Sequence, residues 1–128
     1  MLRRVFILLL LLFAATPVVT SQTISKGIVS AFEKGDAKKL SKDFHTNLEI
    51  NLDGKLQMVS RNQAIRVLQD FFDNNPPESF KVTHEGTKVG SLYGIAQLKT
   101  EKSTFRVNLY FIKVDTSNLI YNISIEKV

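Results

Sequence analysis

Apolar residues recur along this chain with two different periods, and the change of period divides it. Ile24, Ile28, Ala31 and Phe32, with Val29 beside them, fall at the three- and four-residue steps that line one face of a helix. Thr23 or Ser25 can cap its start, and Gly35 supplies a left-handed stop. Asp36 then caps a second short helix carrying Ala37, Leu40 and Phe44, so two helices meet at a tight corner. From Leu48 the period drops to two. Leu48, Ile50 and Leu52 alternate with Glu49, Asn51 and Asp53, the pattern of a half-buried strand. Asp53-Gly54 is a hairpin turn signal, and Leu56 to Val59 is the short returning strand.

Ser60 with Gln63 three residues later reads as a capping box. It opens a third helix through Ala64, Ile65, Val67, Leu68, Phe71 and Phe72, which stops at Asn74-Asn75-Pro76-Pro77 because proline cannot continue it. Everything beyond Pro77 reads as strand. Phe80, Val82 and His84 alternate with Lys81, Thr83 and Glu85, and Gly86 to Gly90 makes a connection. Leu92 to Thr100, Thr104 to Val114 and Leu119 to Lys127 follow, joined by short polar loops that predict an antiparallel meander. The order is ααββαββββ, with helices covering one face of a curved antiparallel sheet, an α+β domain.

The first residues carry a different pattern. Arg3 and Arg4 precede an unbroken apolar run from Val5 to Ala15, and Thr16 and Pro17 break it. Val19 and Ser21 suit the small positions before a cleavage site, which predicts a signal peptide over 1–21 and a single domain over 22–128. Even extended to Val19 the segment offers fifteen residues, where a membrane span needs about 20. The expected address is therefore exported, periplasmic or secreted, with no membrane attachment after cleavage. Removing Arg3 and Arg4 leaves 15 basic against 12 acidic residues, a net of +3. Lys38, Lys39 and Lys42 are the only tight basic group, so a nucleic-acid partner is not expected.

Hydrophobic residues at 44% and charged residues at 23% are those of a folded domain. The absence of Cys removes disulfides, thiolate metal sites, Cys nucleophiles and acylation at Cys. Two His without Cys make a poor zinc set, so neither metal nor cofactor is expected.

In element order and length the predicted domain resembles the nuclear transport factor 2-like superfamily, the cone-shaped α+β barrel of ketosteroid isomerases. Within it the chain resembles a family of secreted bacterial domains, domain of unknown function 4783. The residues that carry this are Ile28 to Asp36, Leu40-Ser41 and Phe44, then Gln63-Ala64 and Leu68 to Phe72, and further on Pro76, Phe80 and His84-Glu85-Gly86. For isomerases of this fold the resemblance would imply an Asp base with a Tyr and a protonated Asp as oxyanion pair. The carry-over fails residue by residue. The first strand turns Leu48, Ile50 and Leu52 inward, with Glu49, Asn51 and Asp53 in the opposite phase, and the first helix offers Phe32 where a Tyr would be needed.

His84 is the one low-grade catalytic candidate, because it shares a strand phase with Phe80 and Val82. An inward His can act as a general base, with Arg106 or Tyr121 as electrophilic or orienting group. Against this, no carboxylate can be assigned to orient it, and a core-edge or solvent-facing His is the plainer reading. His45, after the second helix, reads as a loop residue without metal-like spacing to His84. Asn122-Ile123-Ser124 matches a glycosylation acceptor but lies inside a predicted strand and reads as chance.

The expected interior gives the ligand-pocket candidates Phe32, Phe44, Leu68, Phe72, His84, Phe105, Leu109 and Tyr121. The opposite phase of the last strands gives Arg106, Asn108, Tyr110, Ile112, Ile120 and Asn122 as a dimer face. The function expected from this is an exported noncatalytic domain that binds a small hydrophobic ligand inside the cone or a protein, including its own copy, on the outer sheet. The alternative is a small pocket enzyme built on His84, and a third is an accessory domain with no pocket function. An open interior of about 300 Å³ or more would favour a ligand, and a filled one protein association.

Overall fold

The computed structural model describes residues 24–88 and 91–128, so the predicted signal peptide and its cleavage point near Ser21 lie outside the described residues. Helix α1 spans Lys26–Lys34; of the two cap candidates the described one, Ser25, accepts from Ile28 N at 3.3 Å. Gly35 ends it at φ 62, donating back to Ala31 and Phe32. That conformation is cheap only for glycine. A side chain would also meet Pro77 and Phe72 there. Asp36 accepts from Lys39 N at 3.0 Å and starts α2, Ala37–Leu40. Gln69 fixes the corner, accepting from Ala37 N and donating to Gly35 O, both at 3.1 Å.

The second helix is shorter than the sequence predicts. A 3₁₀ turn over Ser41–Asp43 lets the chain leave it, and Phe44 opens strand β1, Phe44–Leu52. Phe44 is fully buried from the strand, so its apolar character was right for burial and silent about conformation. His45 is accordingly a strand residue. Asp53 (φ 47) and Gly54 (φ 86) both take positive φ, the geometry of a two-residue hairpin turn. Strand β2, Lys55–Ser60, returns antiparallel. Asp53 also holds the tip against the last strand, donating from N to Ile125 O at 2.9 Å and accepting from Lys127 N at 2.7 Å.

The capping box of Ser60 and Gln63 is complete, and it starts α3, Arg61–Asn74, which buries Ala64, Leu68 and Phe72. Strands β3 (Pro77–Lys88), β4 (Ser91–Thr100), β5 (Thr104–Val114) and β6 (Ser117–Lys127) form the meander. The sheet order is β2-β1-β6-β5-β4-β3, with β1 parallel to β6 and every other pair antiparallel. The sheet is curved and does not close; β2 and β3 are its edges. All three helices lie on the inner face.

Two register shifts invert the strand phases that simple alternation predicts. Val82 pairs with Ala96, but His84 pairs with Ile95, so Thr83 is an extra residue in β3. Past that bulge Glu85, not His84, faces the helices, opposite Gly94. In β6 Asn122 pairs with Tyr110 while Ile120 pairs with Phe111, which makes Tyr121 the extra residue. Ile120 therefore joins Ile123 and Ile125 on the inner face and is fully buried. A bulge places two residues of one strand against one of its partner, so every residue beyond it changes sides.

Candidate functional site

Inside the cone, side chains fill the space between sheet and helices. Phe32 of α1 stacks on Phe80 of β3 with centroids 4.4 Å apart and planes 6° from parallel. Phe72 meets Phe32 edge-on at 5.8 Å, and Phe71 reaches Phe105 at 5.1 Å. Phe32, Phe44, Leu68 and Leu109 have no exposed surface, and Phe72 and Phe105 almost none. A void large enough for water would give its lining residues accessible surface, so these six pack against one another. These six pocket candidates belong to the hydrophobic core. The remaining two pocket candidates separate from them: Tyr121 is half-buried at the β6 bulge, and His84 is exposed.

The position of His84 corrects the reading of it as an inward base. It lies on the outer face opposite Ile95. Arg106 lies two strands away on the same face, between Gln97 and Glu126, and is also exposed. Tyr121 sits on β6, further still. The three do not converge on a common point, so they do not form the general-base arrangement expected of them. Among the described residues no group of three or more His, Cys, Asp or Glu is placed to hold a metal ion. No helix among them is long and apolar enough to cross a membrane. Asp43, at the 3₁₀ turn, is pushed above the ordinary carboxylate value by partial burial, with Lys42 beside it pulling the other way.

The outer face can be read row by row from the register. One row crosses all six strands as Met58, Glu49, Asn122, Tyr110, Tyr93 and Gly86. Asn122 Nδ2 donates to Glu49 Oε2 at 3.2 Å, and the Tyr93 ring lies over Gly86, where an added Cβ would stand 3.0 Å from its hydroxyl. The next row runs Leu56, Asn51, Ser124, Asn108, Ile95 and His84, and a third runs Glu126, Arg106, Gln97 and Lys81. Met58 is 70% exposed, Leu56 58% and Ile112 43%, while Asn108 Oδ1 is buried with no hydrogen-bond partner.

Of the predicted dimer-face residues, Arg106, Asn108, Tyr110, Ile112 and Asn122 lie on this face, and Ile120 does not. Leu56, Met58, Tyr93 and Ile95 belong to it and were missed. A signal for two of them existed. The two-residue Asp53-Gly54 turn fixes the hairpin register, which sets Leu56 opposite Asn51 and Met58 opposite Glu49, the polar phase of β1.

Two surface grooves lie away from the core residues predicted as a pocket. One, of about 500 Å³, runs between α1 and β3 and is lined by Ile24, Lys26, Val29, Ser30, Glu33, Val82 and Glu85. The other, of about 360 Å³, is lined by Ser91, Leu92, Phe111, Ile112, Lys113 and Asn118.

Helices packed on one side of a curved, unclosed six-stranded sheet define a nuclear transport factor 2-like fold. A crystal structure of an NTF-2 like protein of unknown function from Silicibacter pomeroyi superposes with a TM-score of 0.61 at 17% identity, over 80% of this chain and 88% of that one. The likeness is greater to crystal structures of DUF4783 family proteins. One from Bacteroides ovatus gives a TM-score of 0.80 at 32% identity, covering 84% of this chain and 98% of that one. One from Bacteroides fragilis gives 0.78 at 32%, covering 82% and 99%. The model of the family described as Domain of unknown function (DUF4783) matches residues 25–126, and the chain belongs to that family. Among curated proteins, none matches the chain.

Proposed function

We propose that this chain is an exported, noncatalytic association domain that uses the outer face of its sheet to pair with a second copy of itself. Export rests on the N-terminal pattern of Arg3, Arg4 and the Val5–Ala15 run. The observation that carries the association is the placement of Leu56, Met58, Tyr110 and Ile112, all exposed on a face whose opposite side is saturated with packed phenylalanines. Large apolar side chains gathered on one face favour covering that face.

A second copy fits because the charges of the face are divided by strand. Glu49 and Glu126 lie on β1 and β6, whereas Lys81, Lys99 and Arg106 lie on β3, β4 and β5. A two-fold axis near the middle of the sheet sets the acidic half of each copy against the basic half of the other. Leu56 and Met58 on β2 and Tyr110 and Ile112 on β5 supply the attraction, and the charges fix the orientation.

Light scattering of the purified domain with and without Met58→Lys and Tyr110→Lys tests this. The unaltered domain is expected to have the mass of two chains at tens of micromolar, and the double variant the mass of one. Both side chains are exposed, so the folded monomer should change in stability by no more than about 0.5 kcal/mol each. A single-chain mass for the unaltered domain at such concentrations, or an unchanged two-chain mass in the variant, contradicts the proposal.

A further inference from the structure

Among the described residues, the inner face of the sheet has one position without a side chain. The row Ile50, Ile123, Leu109, Gly94 and Glu85 is apolar through β1, β6 and β5 and then opens at Gly94 on β4. Glycine is not required there by backbone conformation; the described glycines with positive φ are Gly35 and Gly54. What is used at Gly94 is the missing side chain. The space is taken by Ile24, from the segment preceding α1. A Cβ added to Gly94 would overlap Ile24 Cδ1 and stand 2.8 Å from Cγ1. Ile24 is 3% exposed although it stands outside any helix or strand, and its N–H donates to Glu85 Oε1 at 3.0 Å. Ile24 also lines the groove between α1 and β3, so the same side chain touches both the groove and the space over Gly94.

We propose that the hollow over Gly94 is a binding pocket for a branched aliphatic group carried next to an N–H donor, and that Ile24 fills it in cis. Both halves of the recognition chemistry are present. The glycine gap beside Leu109 accepts a branched hydrocarbon, and Glu85 accepts the hydrogen bond of the nitrogen next to it. Two ligand sources share that chemistry, a Leu, Ile or Val residue of a peptide and a free branched alkylamine. An incoming ligand replaces Ile24 contact for contact and extends into the groove already open over Val29 and Val82. A tethered occupant competes at high effective concentration, so the resting protein binds weakly and displacement of Ile24 raises affinity. This site is on the opposite side of the sheet from the association face and stands independently of it.

The test uses the chain with Ile24→Ala, the milder Ile24→Val, and Ile24→Ala combined with Gly94→Ala. Binding of 3-methylbutylamine and of acetyl-isoleucine methylamide is followed by the thermal midpoint and by backbone amide shifts at Gly94 and Leu109. Ile24→Ala should bind at least one of the two saturably and at least tenfold more tightly than the unaltered chain, with Ile24→Val between them. Saturation by the amide assigns a peptide residue, and saturation by the amine alone assigns a free amine. Refilling the gap in the Gly94→Ala double variant should abolish binding, and adding Glu85→Ala to Ile24→Ala should weaken it about fivefold, the loss of one hydrogen bond. Gly94→Ala should lower the midpoint of the unaltered chain and not that of Ile24→Ala. Failure of both probes to saturate Ile24→Ala or Ile24→Val, or equal binding by the Gly94→Ala double variant, overturns the proposal.

Discussion

The two faces of this sheet are made from the same strands and teach opposite lessons. On the inner face the rows hold Phe, Ile, Leu and Val against three helices, and nearly every large side chain is buried. On the outer face the rows alternate amides, charges and a few large apolar residues, and Met58 and Leu56 stand mostly exposed at the β2 edge. The apolar side holds the fold together, and the mixed side carries the features that favour a partner. Hydrophobicity alone would assign ligand binding to the inside; packing density assigns it to structure, except at the one gap where Ile24 stands in for a side chain.

The contrast predicts effects of very different size. Phe32→Ala removes the ring that stacks on Phe80 and meets Phe72, and should cost about 3–5 kcal/mol. The melting temperature should fall by more than about 12 °C, measured by circular dichroism, without a change in which outer-face residues associate. An effect under 1 kcal/mol would mean the interior is looser than the stacking implies. Ser60→Ala breaks the capping box of α3 and should cost about 1 kcal/mol in urea unfolding, because the Gln63 N–H loses its acceptor.

How far the sequence foretold this depended on where a bulge fell. Periodicity placed all three helices, the hairpin and the four-strand meander, because burial and period coincide there. It failed beyond Thr83 and at Tyr121, where one added residue turns His84 outward and Ile120 inward. No residue near either bulge announces it; both are set by pairing with a strand distant in sequence. Phe44 shows the other limit, since a buried apolar residue at a helix end satisfies a helical and an extended continuation equally well. Of the outer face, the β5 residues were legible because Thr104 to Val114 alternates without a break, and Leu56 and Met58 were missed because their place in β2 depends on the hairpin register.

The smallest predicted effect concerns Asp43. Partial burial raises its pKa above the ordinary 3.8, so the folded chain keeps this proton to higher pH than the unfolded chain does. Its favourable contribution is complete below 3.8 and is lost as pH climbs through the raised native value. Asp43→Asn should therefore gain stability relative to the unaltered chain as pH rises from about 3.5 to 7, read from urea midpoints. A difference that shrinks over that range would reverse the assigned direction.

Amide chemical shifts followed through a dilution series of the unaltered domain separate the two faces most directly. Association through the outer sheet predicts concentration-dependent shifts at Met58, Asn108, Tyr110 and Asn122, with Phe32, Leu68 and Leu109 unmoved. Shifts that gather instead around α1 and the Ile24 groove, or no shifts from micromolar to millimolar concentration, would contradict it.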